Sequence, residues 1–181
     1  SSAEVLRRMG RRGSGEVYAA FWEEIRQTLP GAVIRTTLMT GFPGEGRRDF
    51  KALLEFQEKA RPDWLGAFVW SREEGVPAWH YTGGLAYPWL QWKGQRRRDF
   101  LLRRQQEISR RAMEGFAGRE LEVLVEEAVE EGRLYLGRAY LQAPEVDGLT
   151  VIKTGRPLEP GEFVRVRVER ASGLDLEAAA L

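Results

Sequence analysis

Residues 34–45 read IRTTLMTGFPGE, and this run decides the fold. It predicts a β-strand that breaks at a turn built from Gly41, Pro43 and Gly44 and continues straight into an amphipathic helix. In parallel α/β proteins the junction at the carboxyl end of a strand is where ligands bind. Val33, Arg35, Thr37 and Met39 fall on one face of the strand, and Ile34, Thr36, Leu38 and Thr40 on the other. A strand buried on both faces is nearly continuously apolar. Arg35 and Thr37 therefore predict that one face looks into a polar cavity.

Working outward, Gly15 to Leu29 carries Val17, Tyr18, Phe21, Trp22, Ile25 and Leu29 as a helical apolar stripe, with Ser14 as N-cap and Pro30-Gly31 as the stop. A second helix is predicted over 47–60, with Phe50, Leu53, Leu54 and Gln57 on one side, and a second strand over Trp64–Ser71. Helix, strand, helix and strand in quick succession read as βα units of a parallel sheet or barrel. Two strands close no barrel, so further strands are expected elsewhere in a longer parent or on a partner. A start at Ser-Ser without Met agrees with a processed or excised chain. Residues 72–90, with Pro77, Gly83, Gly84 and Pro88, read as a connecting loop. The basic stretch QRRRDFLLRRQQEISRRAMEGF reads as a helix whose arginines either bind phosphate or form a solvated face. Trp79, Trp89 and Trp92 read either as ligand-stacking rings or, as the expectation, as buried against this helix.

From Gly118 the rhythm changes to period two. RELEVLVEE, GRLYLGRAYL, GLTVIKT, EFVRVRVER and LDLEA are five strand candidates separated by turn residues. Five short strands in so little chain predict a small closed barrel of the OB-like, ligand-binding kind.

The chain has 181 residues, 43% hydrophobic and 30% charged, which describes a folded protein. No apolar run is long enough to span a bilayer, and the first residues lack the apolar core of a secretory signal. There is no cysteine and a single histidine, His80, read as an ordinary loop residue. These absences exclude disulfides, thiolate catalysis and cysteine-ligated clusters within the chain. The net charge of +1 hides an asymmetry. Residues 118–181 hold 8 Lys/Arg against 13 Asp/Glu, a balance of −5, which leaves +6 for residues 1–117.

Three stretches carry a resemblance that extends over essentially the whole chain. LRRMGRRG, IRTTLMTGFPGE followed by Asp49-Phe50, and FVWSREEGVPA resemble the last third of the radical-SAM barrel in methylthiotransferases. RRQQEIS, GRELEVLVEE, GRAYLQAPEVDG and LEPGEFVRVRV resemble that family's TRAM domain. APEVDG and the Arg-Thr-Thr strand are most similar to the RimO-like branch, which methylthiolates an aspartate of ribosomal small-subunit protein S-twelve. The fold class implied is α/β plus all-β: the last βα units of a partial radical-SAM, TIM-like barrel over 1–90, a basic linker helix over 91–117, and a five-stranded antiparallel OB-like TRAM barrel over 118–181.

The resemblance also implies cofactors and a cytoplasmic location. Two [4Fe-4S] clusters and S-adenosyl-L-methionine would serve the full-length parent, with no catalytic residue and no metal ligand in this chain. Arg35, Gly41, Phe42, Pro43, Gly44, Glu45 and Ser71 are the expected adenosylmethionine-side residues. Arg35 reads either as a carboxylate binder or as a structural ion pair. Glu45 reads either as a ligand acceptor or as a helix-start residue favoured by the macrodipole. Trp70, Val76 and Gly46 depart from the family's usual tyrosine and threonines. Glu126, Glu127, Glu130 and Glu131 form an acidic cluster that, with Pro144, Glu145 and Asp147, is the expected docking surface for a basic protein. A solvated hairpin and an ordinary turn are the plainer readings of those two features. The expected partners are the ribosomal protein and the missing N-terminal part of the enzyme. Transfer RNA, substrate of the MiaB-like sister group, fits the charge less well, because phosphate neutralisation dominates RNA affinity. A non-catalytic scaffold is the remaining alternative.

Overall fold

The computed structural model describes residues 1–84, 86–130 and 132–181, and the chain divides into two compact units, Ser1–Gln105 and Gln106–Leu181. The first unit contains α1 (Ala3–Arg8), α2 (Gly15–Thr28), β1 (Arg35–Thr40), α3 (Arg47–Ala60), β2 (Trp64–Val69) and a short 3-10 helix, Pro77–Tyr81. A long helix, α4 (Tyr87–Glu114), follows, and the second unit carries β3 (Glu120–Glu130), β4 (Leu134–Ala139), β5 (Thr150–Lys153), β6 (Phe163–Ser172) and β7 (Asp175–Ala180).

In the first unit β1 and β2 pair in parallel, Arg35 opposite Trp64 through Thr40 opposite Val69, with α3 as the crossover. This is the βα unit that the opening run implies. Ser14 caps α2, its hydroxyl accepting from the Val17 amide. Arg61 ends α3 in the left-handed region at φ 41°. Two carbonyls at that end, those of Ala60 and Arg61, accept from the Arg26 guanidinium at 2.8 and 2.6 Å. Ala19, Phe56 and Ala60 form one core cluster, with Trp22 and Leu38 against it.

Three features of this unit depart from the sequence reading. The apolar stripe on α2 is not the buried one: Val17 and Phe21 are more than half exposed, and the face that packs is Gly15, Ala19 and Trp22. Small residues let α2 approach α3 and Trp22 packs on Phe56, while Val17 and Phe21 point away. The segment 72–90 is not all loop. Pro88 sits in the first turn of α4, where proline costs no helical hydrogen bond. Trp89 and Trp92 consequently lie on that helix rather than buried against it, 60% and 52% exposed.

The five strands of the second unit close in the order β3-β4-β5-β7-β6, with β6 returning to β3. Four of the pairings are antiparallel and that of β5 with β7 is parallel. Strict alternation aims Val123, Val125, Tyr135, Ile152, Val164, Val166, Val168 and Leu176 inward, all nearly inaccessible to solvent. Closure needs tight spots. A Cβ on Gly137 would lie 2.4 Å from the Leu124 carbonyl oxygen, so only glycine fits there. Tyr135 is fully buried, and its hydroxyl accepts from the amides of Gly132 and Leu158 at 2.9 and 3.0 Å.

Removing that hydroxyl strands two amides. Tyr135→Phe is expected to destabilise the barrel by about 1–3 kcal/mol, read as a lower denaturant midpoint with an unchanged slope.

Candidate functional site

Two places gather the residues singled out by sequence. The first is the turn after β1. Gly41 and Gly44 adopt φ +75° and +83°, so the chain doubles back at once after the strand. Glu45 is 5% exposed and folds over this turn. Its Oε2 accepts from the Gly41 amide at 2.6 Å and the Phe42 amide at 3.2 Å, while Oε1 pairs with the Arg97 guanidinium of α4. Arg97 also donates to the Gly46 carbonyl at 2.9 Å, and Lys93 Nζ donates to the Glu45 carbonyl at 2.7 Å. Both oxygens of the Glu45 carboxylate are thus engaged within the protein.

The glycines have local reasons too. A Cβ on Gly41 would stand 3.0 Å from the Gly94 Cα, and one on Gly94 would stand 2.5 Å from Val69 Cγ1. Helix α4 therefore lies backbone-to-backbone on the end of β1, where the Thr40 hydroxyl donates to the Gly94 carbonyl at 2.9 Å. At Gly44 the position of a Cβ is taken by the Arg8 guanidinium, which lies over the Phe42 and Tyr81 rings at 5.9 and 5.8 Å. Phe42 is buried with Trp70 and Leu90, and Pro43 is buried beside it.

Arg35 and Thr37 are exposed on the outer face of β1, with Gly66 bare opposite Thr37 and the Arg35 guanidinium over the Trp64 ring. Ser71 is exposed and donates to Glu73 at 2.6 Å. Asp49, in the first turn of α3, is held below the usual carboxylate range. The Ser2 hydroxyl donates to it at 2.6 Å; partial burial opposes, while the Gly46 amide and Arg97 assist. A depressed pKa contributes stability that is present above the unfolded value and lost as pH falls through the folded one.

Sequence reasoning missed Arg97, Lys93 and Gly94. Arg97 falls in the run whose arginines read as phosphate binders or a solvated face, yet it is 9% exposed and paired with Glu45. The only local signal was a glycine inside a helical pattern, which points to a close backbone approach.

The second place is the barrel surface. Glu126 pairs with Arg138 at 2.6 Å and Glu130 with Arg133 at 3.2 Å. Glu127 is exposed and, among the described residues, makes no ion pair; Glu131 lies outside the described residues. Pro144 and Glu145 are exposed at the tip of the APEVDG loop, beside Val146, which is 73% exposed. Asp147 ties the loop by accepting from the Ala143 amide at 2.7 Å. Tyr140 and Phe163, both more than 60% exposed, flank an open groove of about 520 Å³ that also includes Glu120, Glu122 and Arg138.

The commitment of the barrel's cations was not visible in sequence. Seven of its eight basic residues, all but Arg119, pair with carboxylates. Glu120 alone takes Arg165 and Arg167 at 2.6 and 2.8 Å. Arg119 apart, the charge left uncompensated among the described residues of this surface is acidic.

These features define an α/β unit and a TRAM barrel: residues 117–181 match the family model described as the TRAM domain. Nearly the whole chain is similar to curated proteins called ribosomal protein uS12 methylthiotransferase RimO. Identity is 37% to that of Carboxydothermus hydrogenoformans, covering 96% of this chain and 39% of that protein. It is 40% to that of Pelotomaculum thermopropionicum, over 97% and 39%, and 39% to that of Aquifex aeolicus, over 97% and 40%. The chain spans about two-fifths of the length of these relatives.

Breaking a buried pair by removing one partner leaves an uncompensated charge. Arg97→Ala is expected to destabilise the first unit by about 3–5 kcal/mol. The Glu45→Ala/Arg97→Ala double variant should cost less than the sum of the singles in a denaturation cycle.

Proposed function

We propose that this chain is the C-terminal portion of a radical-SAM methylthiotransferase that modifies an aspartate of ribosomal small-subunit protein S-twelve, with the TRAM barrel docking the protein substrate. In this reading residues 1–90 complete the radical-SAM barrel and 91–117 link it to the barrel over 118–181. Similarity to the uS12 methylthiotransferases along nearly the whole chain supports the reaction class. The observation that carries the substrate is the committed state of the barrel's cations. With seven of eight already paired to carboxylates, the barrel offers phosphate almost nothing, whereas Glu122, Glu127 and Glu145 face solvent. Such a surface repels RNA and suits a basic protein.

The cofactors of this reading divide unequally. The chain has no cysteine and, among the described residues, no group of three possible ligands for a metal, so its residues do not fit an iron–sulfur cluster. They do fit one wall of an S-adenosyl-L-methionine site: Arg35 and Thr37 stand on an open polar face beside bare Gly66. Bound there, adenosylmethionine would supply the radical and methyl chemistry. The chain's own contribution is positioning. The Glu45 carboxylate fixes the Gly41 and Phe42 amides, and Arg97 fixes the carboxylate, so the strand end presents a rigid edge. The protein acts in the cytoplasm, where its ribosomal substrate is made.

The test is binding by the intact protein to the purified ribosomal protein and to transfer RNA. Tight, salt-sensitive binding to the protein is expected, weakened about tenfold at low salt by combined Glu122→Lys, Glu127→Lys and Glu145→Lys changes. Binding to transfer RNA with none to the protein would refute the assignment.

A further inference from the structure

One face of α4 differs from the barrel surface in the charge that accompanies its exposed rings. Trp92, Arg96, Phe100 and Arg103 succeed one another at spacings of four, four and three, which aligns them along one side of the helix. Each step advances about 4.5–6 Å along the axis. Trp92 and Phe100 are 52% and 42% exposed. The Arg96 guanidinium lies 5.0 Å from the Trp92 ring centre, and Phe50 of α3 meets Phe100 edge-on at 6.3 Å. These residues, with Lys93 and Arg97, line an open groove of about 340 Å³ that has no carboxylate in its wall. Arg97 is committed to Glu45. Arg96 and Arg103 are exposed and, among the described residues, make no ion pair.

Adjoining exposed rings rimmed by polar residues mark interaction surfaces. Exposed rings offer flat apolar surfaces for stacking, and unpaired guanidiniums offer charge and donors to oxyanions. Alternated along one line, they match a polymer that alternates planar bases with phosphates. An acidic protein would satisfy the arginines but leaves the ring faces without a planar partner.

We propose that this α4 face binds single-stranded nucleic acid, bases stacking on Trp92 and Phe100 and phosphates pairing with Arg96 and Arg103. The site lies on residues 50–103 of the first unit, whereas the barrel carboxylates on which the protein-docking reading rests belong to the second. One chain then carries a surface for a basic protein and a separate one for a nucleic-acid strand.

Fluorescence anisotropy of the intact protein with labelled single-stranded RNA, single-stranded DNA and duplex oligonucleotides tests this. Single strands should bind more tightly than duplex, with affinity falling as salt rises. Comparison of the RNA and DNA arms shows which sugar is preferred. Trp92→Ala should weaken binding roughly five- to hundred-fold, the range of one lost stacking contact. Arg96→Glu/Arg103→Glu should abolish it and flatten the salt dependence. All three positions are exposed, so denaturation midpoints should stay at the parent value, and binding of the basic ribosomal protein should be unchanged. Failure of the intact protein to bind either single strand, or equal binding by parent and variants, would overturn the proposal. So would a preference for anionic vesicles or an acidic polypeptide over oligonucleotides.

Discussion

The buried pair between Glu45 and Arg97 is the contact on which the α/β unit depends. The turn after β1 has to reverse the chain within a few residues, which leaves the Gly41 and Phe42 amides pointing inward. One Glu45 oxygen satisfies both of them, and the other meets a guanidinium delivered by a helix 52 residues away in sequence. A buried ion pair is weak evidence for net stability but strong evidence for a fixed geometry, because either charge alone is costly to bury. The carboxylate thereby joins strand end, turn and helix into one piece. The contact of Gly41 with Gly94 completes the joint, since any side chain at either position would hold α4 off.

The second unit uses the opposite strategy. Its barrel is held by alternating valines and one buried tyrosine, and its charges lie outside, largely paired off. Ion pairs this exposed contribute little to stability, because solvent screens them. They engage seven of the barrel's eight cations and leave a surplus of carboxylates. On the α4 face, Arg96 and Arg103 make no ion pair among the described residues and stand beside exposed rings. Electrostatic partition along the chain, +6 against −5, is thus carried by particular surfaces rather than spread evenly.

Much of this was legible in the sequence. FVRVRVER announces a half-buried strand because period two is a local property. Ser14 announces a helix start, and Gly41, Pro43 and Gly44 announce a turn, for equally local reasons. The failures are non-local. Val17 and Phe21 look like a core stripe, but which side of a helix packs depends on how small the contact residues are, and Ala19 decides that. Arg97 looks like its neighbours in QRRRDF, and only Glu45 distinguishes it. The acidic hairpin was legible as composition, yet the pairing of Glu126 with Arg138 depends on the β3–β4 register, which composition does not contain.

The assignment stands or falls on the product made by the protein that carries this chain. Mass spectrometry of ribosomal protein S-twelve and of transfer RNA, from cells with and without its gene, reads that product directly. The account predicts a methylthiolated aspartate in the ribosomal protein that disappears with the gene, while transfer RNA is unaffected. Loss of a methylthiolated adenosine in transfer RNA, with the ribosomal protein unchanged, would contradict it.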